Sequence, residues 1–222
     1  MPEKIWSAVE AYFDSELNAV DPEISAATEV SAAAGLPPIQ VSAAQGKLLY
    51  LLALAQGARR ILEVGTLGGY SALWLARALP ADGRLVTLEL NPHHAEVARR
   101  NFLTAKLAER IELHVGPALE SLARFRAQRV APFDLVFIDA DKANNLGYVQ
   151  AALEFSRIGT LIVVDNVVRD GSVVSAKRDA AVQGVRSMTA WIGAQSRLAA
   201  SVIQTVGSKG YDGFLLARVQ AN

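Results

Sequence analysis

The sequence predicts an α/β fold, in which N-terminal capping helices precede a doubly wound, mostly parallel sheet of seven strands. Three observations predict it. Short apolar runs alternate with helix-length segments from about residue 60 onward. The runs are nearly continuous, as in strands that helices cover on both faces. The last two runs are separated only by the six residues GSKGYD, too few for a helical crossover, so they should form an antiparallel hairpin.

The elements follow in order along the chain. Strands are predicted at 61–65, 84–90, 111–115, 134–139 and 160–165, with helices between them at 70–79, 92–106, 118–127 and 142–157. A helix at about 177–194 precedes the hairpin strands 200–206 and 213–219. Residues 3–56 are predicted to form two or three helices, interrupted at GLPP, residues 35–38. We therefore expect one domain over residues 1–222, with a helical cap at 1–56 and a ligand-binding α/β core at 57–222.

The composition limits the function. Hydrophobic residues make up 51% of the chain, and 22 Lys and Arg balance 22 Asp and Glu, so the total charge gives no indication of nucleic-acid binding. The absence of cysteine excludes disulfides, thiolate zinc sites and cysteine nucleophiles. The amino terminus lacks the apolar stretch of a signal peptide, and no run approaches the ~18 apolar residues of a membrane span. We expect a cytoplasmic protein with no membrane partner.

A glycine-rich loop follows the first predicted strand. Strand 61–65 runs into EVGTLGGYS, residues 63–71, and then into a helix. Glycines at this point let a ligand approach the backbone at the amino end of the helix. The loop does not match the dinucleotide fingerprint G-x-G-x-x-G or a phosphate-binding loop that ends in Lys-Ser or Lys-Thr. The glycines alone are equally compatible with a tight turn that binds nothing.

Two acids accompany this loop. Glu89 ends the second predicted strand, where a carboxylate can accept hydrogen bonds from both hydroxyls of a ribose. Glu63 lies two residues before Gly65 and can face the ammonium group of a ligand. An acid for a ribose and an acid for an amine, without a phosphate cradle, describe S-adenosylmethionine better than NAD.

Asp139 and Asp165 close the fourth and fifth predicted strands, and Asn166 follows directly. If those strands are neighbours, their ends lie about 5 Å apart. Two carboxylates at that separation repel unless one is protonated or a cation lies between them. Together with the amide oxygen they form an all-oxygen set that suits Mg²⁺, with Ca²⁺ or Mn²⁺ as alternatives. The sequence therefore predicts a divalent metal site.

Lys142 begins the helix predicted after Asp139. Because a lysine is unfavourable at the amino end of the helix dipole, its position indicates a function. Beside a bound dication it is a candidate general base. The alternative is a surface lysine paired with Asp141, an interpretation that the neighbouring aspartate pair makes weaker.

Four segments carry a resemblance to a known family. They are ILEVGTLGGYSALWLA, LVTLELNP, VFIDADK and VVDNVVRDGSVV. In this order and spacing they resemble the cation-dependent O-methyltransferases, which include catechol and caffeoyl-CoA O-methyltransferases and small bacterial members. The resemblance covers residues 35 to 219. A parallel sheet that finishes in an antiparallel hairpin also suits the Rossmann-like sheet of a methyltransferase.

The resemblance implies a role for each residue that matches a family motif. Asp139, Asp165 and Asn166 would bind the metal, and Lys142 would act as the base. The contacts to S-adenosylmethionine would come from Val41, Glu63, Gly65, Thr66, Gly69, Ser71, Glu89, Gly116, Pro117, Ala118 and Asp139. Among these, Glu89 would hold the ribose, and segment 116–118 would lie beside the adenine.

We expect methyl transfer from S-adenosylmethionine to a hydroxyl of a small catechol-like or polar phenolic acceptor, whose two oxygens the metal would hold. Lys142 would remove the hydroxyl proton, and the oxyanion would attack the methyl group in line. Three alternatives stay open. They are methylation of a hydroxylated tRNA base by the same chemistry, an NAD-linked oxidoreductase on a similar sheet, and a cofactor-binding module without catalysis.

The sequence departs from the family at two positions near the acceptor. Asn145 stands where aromatic residues are common, although Tyr148 is retained at the next such position. Arg169 replaces a common tryptophan in segment 167–176, which is expected to cover the acceptor. An arginine there indicates a polar or anionic acceptor, or else a solvated loop charge.

The aromatic residues Trp6, Tyr12 and Phe13 are spaced to share one face of a terminal helix. Such a face is more often core or a dimer interface than a substrate contact, and the family resemblance implies a homodimer. The three histidines, His93, His94 and His114, are interpreted as structural or surface residues.

Overall fold

The computed structural model describes residues 2–17, 21–176 and 179–221. Its strands are β1 Arg60–Val64, β2 Arg84–Glu89, β3 Ile111–Val115, β4 Phe133–Ile138, β5 Ser156–Asp165, β6 Leu198–Gly207 and β7 Gly210–Val219. They form one sheet in the order β3-β2-β1-β4-β5-β7-β6. Strands β1 to β5 pair in parallel, whereas β7 runs antiparallel to both β5 and β6. The predicted α/β sheet with a C-terminal antiparallel hairpin is confirmed.

Helices cover both faces of this sheet. They are α1 Pro2–Leu17, α2 Pro22–Ala33, α3 Ala43–Ala55, α4 Tyr70–Ala78, α5 Pro92–Thr104, α6 Ala118–Gln128, α7 Asn145–Glu154 and α8 Ala180–Gly193. Short 3-10 turns lie at Ala108–Arg110, Lys142–Asn144 and Ser172–Val174. Among the described residues, no helix combines the length and the apolar character needed to cross a membrane.

Polar side chains cap the amino ends of helices α2 and α3. The Asp21 carboxylate accepts the backbone N–H of Glu23 at 3.0 Å, which caps α2. Ser42 and Gln45 form a capping box at the start of α3. The guanidinium of Arg77 on α4 donates to Asp21 and Glu23 at 2.5 and 2.8 Å, so α2 is held against the helix that follows the glycine loop.

Alternate residues of the central strands build two cores. Ile61 and Leu135 face the core beneath α3, α4 and α5. Leu62 and Val136 face the opposite core, formed with α6, α7 and α8. The strands are therefore buried on both faces, which explains their nearly continuous apolar sequence.

Two boundaries differ from the prediction. The connection expected at GSKGYD is mostly strand: Gly207 pairs with Gly210, so a two-residue turn joins β6 to β7. The helix predicted at 142–157 is a 3-10 turn at Lys142–Asn144 followed by α7, and residues 156–157 begin β5. For the helix predicted at about 177–194, residues 177 and 178 lie outside the described residues.

Candidate active site

Strands β1, β2, β4 and β5 are paired in register and end at one edge of the sheet. Glu89 and Asp165 end two of these strands, and Gly65 and Asp139 directly follow the other two, so all four residues lie at this edge. All four residues line one cavity of about 990 Å³. The expectation that the carboxyl ends of these strands form the site agrees with this geometry.

The structure brings most of the predicted site residues to this cavity. Its wall includes Val41, Gly65, Thr66, Ser71, Glu89, Pro117, Ala118, Asp139, Lys142, Asp165 and Asn166. Glu63, Gly69 and Gly116 are not among the lining residues. Their predicted contacts to the cofactor stay predictions, and two of them have structural contacts that explain their positions.

Glu63 is fully buried beneath the glycine loop. Ser71 Oγ donates to its Oε1 at 2.7 Å, and Thr87 Oγ1 donates to its Oε2 at 2.6 Å. Burial raises the pKa of the Glu63 carboxyl group to about 8, although the two hydrogen bonds act in the opposite direction. Because Ser71 lines the cavity, Glu63 acts on the site through this hydroxyl.

We expect Glu63 to make the stability of the unliganded protein fall as the pH rises. Its pKa changes from an ordinary 4.5 to about 8 on folding, so between those values the folded state binds more protons than the unfolded state. The stabilisation is fully present below pH 4.5 and is lost as the pH rises through 8, a change of a few kcal/mol. In urea unfolding at several pH values, the free energy of unfolding of Glu63→Gln should depend less on pH than that of the wild type.

The surface variant Glu109→Gln is the matched control, because Glu109 is exposed. It should retain the wild-type pH dependence of unfolding. If Glu63→Gln and the wild type lost stability equally between pH 4.5 and 8, Glu63 would not carry this dependence.

Glu89 fixes the glycine loop at the cavity wall. Its Oε2 accepts the backbone N–H groups of Thr66 at 3.1 Å and Leu67 at 2.8 Å. Its Oε1 accepts the N–H of Asn91 at 2.9 Å. The carboxylate is thus held in position by backbone donors at the end of β2, where it was predicted to meet a ribose.

Two glycines of the loop permit close contact with other parts of the chain. A Cβ on Gly65 would lie 2.0 Å from the carbonyl oxygen of Asp139. A Cβ on Gly69 would lie 2.4 Å from Cε1 of Phe102 on α5. Gly69 therefore allows α4 to begin against α5, and Gly65 allows the loop to rest on the end of β4.

The aspartate pair lies beside one ammonium group. Lys142 is buried, with 9% of its side chain exposed, and its Nζ donates to Asp139 Oδ1 at 2.7 Å. Asp165 is 4% exposed. Burial and then the charge of Asp139 raise the pKa of the Asp165 carboxyl group to about 7, although the Asn166 N–H and Lys142 lower it. Two carboxylates thus share one positive charge.

This arrangement fits a divalent cation by its chemistry. Asp139, Asp165 and Asn166 offer hard oxygen atoms and an excess of negative charge, which a cation would relieve. Among the described residues, no three His, Cys, Asp or Glu side chains form a metal-binding group. The protein ligands would therefore be the two carboxylates and the Asn166 amide, with other oxygen atoms completing the shell.

Lys142 is positioned by elements on either side. It lies in a 3-10 turn rather than in a regular helix. A Cβ on Gly184 of α8 would lie 2.0 Å from the Lys142 carbonyl oxygen, so α8 supports this turn directly. Asp141 stands at the N-cap position of this turn but makes no side-chain cap hydrogen bond. Its carboxylate accepts from Tyr148 Oη at 2.5 Å and Asn144 Nδ2 at 2.7 Å.

The two departures from the family occupy different environments. Asn145 is fully buried and does not line the cavity; its side-chain oxygen and nitrogen have no hydrogen-bond partner among the described residues. Its neighbour Asn144 lines the cavity instead. Arg169 also lines the cavity, so it is not simply a solvated loop charge.

Sequence reasoning did not assign several residues that the structure places in the same wall. They include Tyr70 and Lys209, and His94 also lines the cavity, although it was interpreted as a structural or surface residue. His94 Nδ1 lies 3.4 Å from Glu89 Oε1. The position of His94, five residues after Glu89 on the first turns of α5, was the available signal. Lys209 lies in the β6–β7 turn, which the sequence alone does not place near the site.

The fold and the site define a class of protein, an α/β methyltransferase. A seven-stranded sheet with an antiparallel C-terminal strand pair carries a glycine loop, an acid at the end of β2 and a lysine beside two carboxylates. The sequence profile of the O-methyltransferase family matches residues 16–219, and the chain belongs to this family. The family predicted from the four segments is confirmed.

Individual relatives agree with this assignment. The chain is 52% identical to a catechol O-methyltransferase of Mycobacterium tuberculosis over 212 residues, which cover 96% of this chain and 95% of that protein. An O-methyltransferase of Bacillus cereus in complex with SAH has a TM-score of 0.96 and 49% identity, covering 98% of this chain and 99% of that one. An O-methyltransferase of Streptomyces achromogenes, involved in tomaymycin synthesis and solved with SAM, has a TM-score of 0.96 and 48% identity over 100% of both chains. This protein is an S-adenosylmethionine-dependent O-methyltransferase.

Proposed function

We propose that this enzyme transfers a methyl group to a hydroxyl of a small catechol-like acceptor in a divalent-metal-dependent reaction, with Lys142 as the general base. The observation that carries the proposal is the position of Lys142. Its Nζ lies 2.7 Å from Asp139 Oδ1, in the wall of the cavity that the glycine loop and Asp165 also line. The catechol O-methyltransferase of M. tuberculosis, at 52% identity, supports this class of acceptor.

The methyl donor would occupy the part of the cavity between the glycine loop and segment 117–119. Glu89, held by three backbone N–H groups, would accept the ribose hydroxyls. Ser71 and the loop backbone would bind the methionine end. These contacts would orient the methyl group toward the edge that carries Asp139 and Asp165.

At that edge, Lys142 in its neutral amine form would accept the proton of the reacting hydroxyl and become an ammonium group. The resulting oxygen nucleophile forms a bond to the methyl carbon as the carbon–sulfur bond breaks, and sulfur leaves as a neutral thioether. Asp139, Asp165 and Asn166 would hold a divalent cation, whose positive charge would polarise the acceptor hydroxyls. The Asp139 carboxylate would then be shared between this cation and Lys142. Because the sulfonium loses its charge, exclusion of water favours the reaction.

We also infer a homodimer, as the family resemblance implied. Helix α1 leaves Ile5, Val9, Tyr12, Phe13 and Leu17 between 49% and 69% exposed. The neighbouring strand β6 exposes Val202, Ile203 and Val206. Contiguous apolar residues of this kind favour a protein interface.

A methyl-transfer screen tests the proposed function. Catechol and bulk tRNA are incubated with the enzyme and labelled S-adenosylmethionine, with Mg²⁺ or with EDTA. We expect catechol to be methylated, EDTA to lower the rate on the order of a hundredfold or more, and added Mg²⁺ to restore it. Activity that persists in EDTA, or in Asp165→Ala, would remove the metal from the proposal. Methylation of tRNA alone would identify the other acceptor class.

A further inference from the structure

We propose that the acceptor carries an anionic group, and that Arg169 and Lys209, which both line the cavity, bind this group. The inference rests on the proposed function and names its substrate class: an aromatic vicinal diol with a carboxylate substituent. The notable feature is a pair of cations that line the same cavity as Asp139 and Lys142 but take no part in the metal or base chemistry.

The guanidinium group of Arg169 lacks a partner within the described part of the chain. Its Nε is buried and makes no hydrogen bond, and among the described residues no carboxylate forms an ion pair with it. Among the described residues, Arg60 and Arg77 also have a buried Nε without a hydrogen bond, but their guanidinium groups have other partners: Arg77 pairs with two carboxylates, and Arg60 lies over the Phe133 ring at 5.3 Å. Buried donors are rarely left unsatisfied in proteins. A bound anion would supply the missing acceptor at Arg169.

The backbone of Arg169 is held in place by the C-terminal hairpin. Asp212 Oδ1 accepts the backbone N–H groups of Val168 and Arg169, each at 3.0 Å. It also accepts the N–H of Gly213 at 3.0 Å. The loop after β5 is thus anchored to β7, which fixes the backbone from which the Arg169 side chain extends.

Lys209 adds a second positive charge to the cavity wall. It lies in the turn between β6 and β7, and its Nζ donates to the carbonyl oxygen of Pro38 at 3.0 Å. An ammonium group has three donors, so two stay available after this bond. The contact also links the hairpin to the segment before α3, whose residues Ile39 and Gln40 line the cavity.

The acids of the cavity are committed to other partners. Glu89 holds the glycine loop, and Asp139 pairs with Lys142. Asp141 accepts from Tyr148, and Asp165 accepts the backbone N–H of Asn166. Asn166, a proposed metal ligand, lies three residues before Arg169 in the same loop. A substituent that extends from a ring held near Asn166 would therefore meet Arg169 and Lys209. A carboxylate matches this charge and the planar geometry of a guanidinium.

A matched pair of acceptors tests the inference. The probes are 3,4-dihydroxybenzoate and its neutral methyl ester, which share the diol and differ in charge. We expect the wild type to prefer the carboxylate by about tenfold or more in kcat/KM, as a charge-assisted contact provides. Arg169→Gln should raise KM for the carboxylate by a similar factor and affect the ester far less, whereas Arg169→Lys should recover part of the preference. Lys209→Gln should also lower the preference for the carboxylate over the ester.

Arg99→Gln serves as the control, since Arg99 is exposed on α5 and is not among the residues that line the cavity. It should keep the wild-type preference. Equal wild-type kcat/KM for acid and ester, or an equal loss on both acceptors in Arg169→Gln, would overturn the inference and leave the proposed function intact. A wild-type enzyme that methylates catechol but neither of these acceptors would overturn this inference alone, whereas one that methylates none of the three would overturn the proposed function as well.

Discussion

Replacing Lys142 by methionine is expected to lower kcat for methyl transfer by a factor of about 10² to 10⁴, the usual contribution of a positioned general base. Methionine retains much of the buried apolar stem but cannot accept a proton. Lys142 is 9% exposed and lies between the Asp139 carboxylate and the backbone contact with Gly184. The measurement is steady-state kinetics with catechol at saturating Mg²⁺, together with calorimetry of S-adenosylmethionine binding.

The accompanying measurements separate a base from a structural cation. Affinity for S-adenosylmethionine should change little in Lys142→Met. Affinity for Mg²⁺ should stay or increase, because the variant removes a positive charge beside Asp139 and Asp165. Lys4→Met, on the exposed surface of α1, should match the wild type in all three measurements. If Lys142→Met retained more than about a third of wild-type kcat, Lys142 would not be the base that this prediction requires.

Gly65→Ala is expected to destabilise the protein by about 3 kcal/mol or more and to abolish measurable methyl transfer. The added Cβ would lie 2.0 Å from the Asp139 carbonyl oxygen and 2.7 Å from its carbon. Asp139 cannot easily retreat, because its N–H donates to the Val64 carbonyl at 2.8 Å. Displacing it would disturb the donor loop and the aspartate pair together.

Gly57→Ala separates this clash from backbone strain. Gly57 also has a positive φ, +60°, but a Cβ there would meet nothing within 4 Å. Its substitution should cost about 1–2 kcal/mol and leave the activity of the folded protein unchanged. Urea unfolding and methyl-transfer assays on both variants test the difference. Equal losses of stability would show that strain, and not the contact with Asp139, explains the Gly65 result.

The sequence was sufficient to predict the sheet and the main acids of the site. Parallel strands end at one edge, so a carboxylate at the end of a strand can be placed from its position alone. Glu89, Asp139 and Asp165 are of this kind, and the structure brings all three to one cavity. The antiparallel hairpin followed from the short connection between the last two apolar runs.

Side-chain direction and contacts between distant elements could not be predicted in the same way. Glu63 and Asn145 stand beside cavity residues in the sequence, yet both are fully buried. The close approach of Phe102 explains why residue 69 is a glycine. The 3-10 turn at Lys142 is in close contact with Gly184. Each of these facts depends on how helices far apart in the chain pack together, which local sequence patterns do not contain.

The position of β7 has a consequence for biosynthesis. This strand is made after every other strand, yet it lies inside the sheet, between β5 and β6. Until residues 210–219 leave the ribosome, β5 has an open edge, and the loop that carries Arg169 lacks the Asp212 carboxylate that anchors it. The acceptor side of the site is therefore completed only after residues 210–219 have been synthesised. Truncated or stalled chains should therefore lack a complete acceptor site.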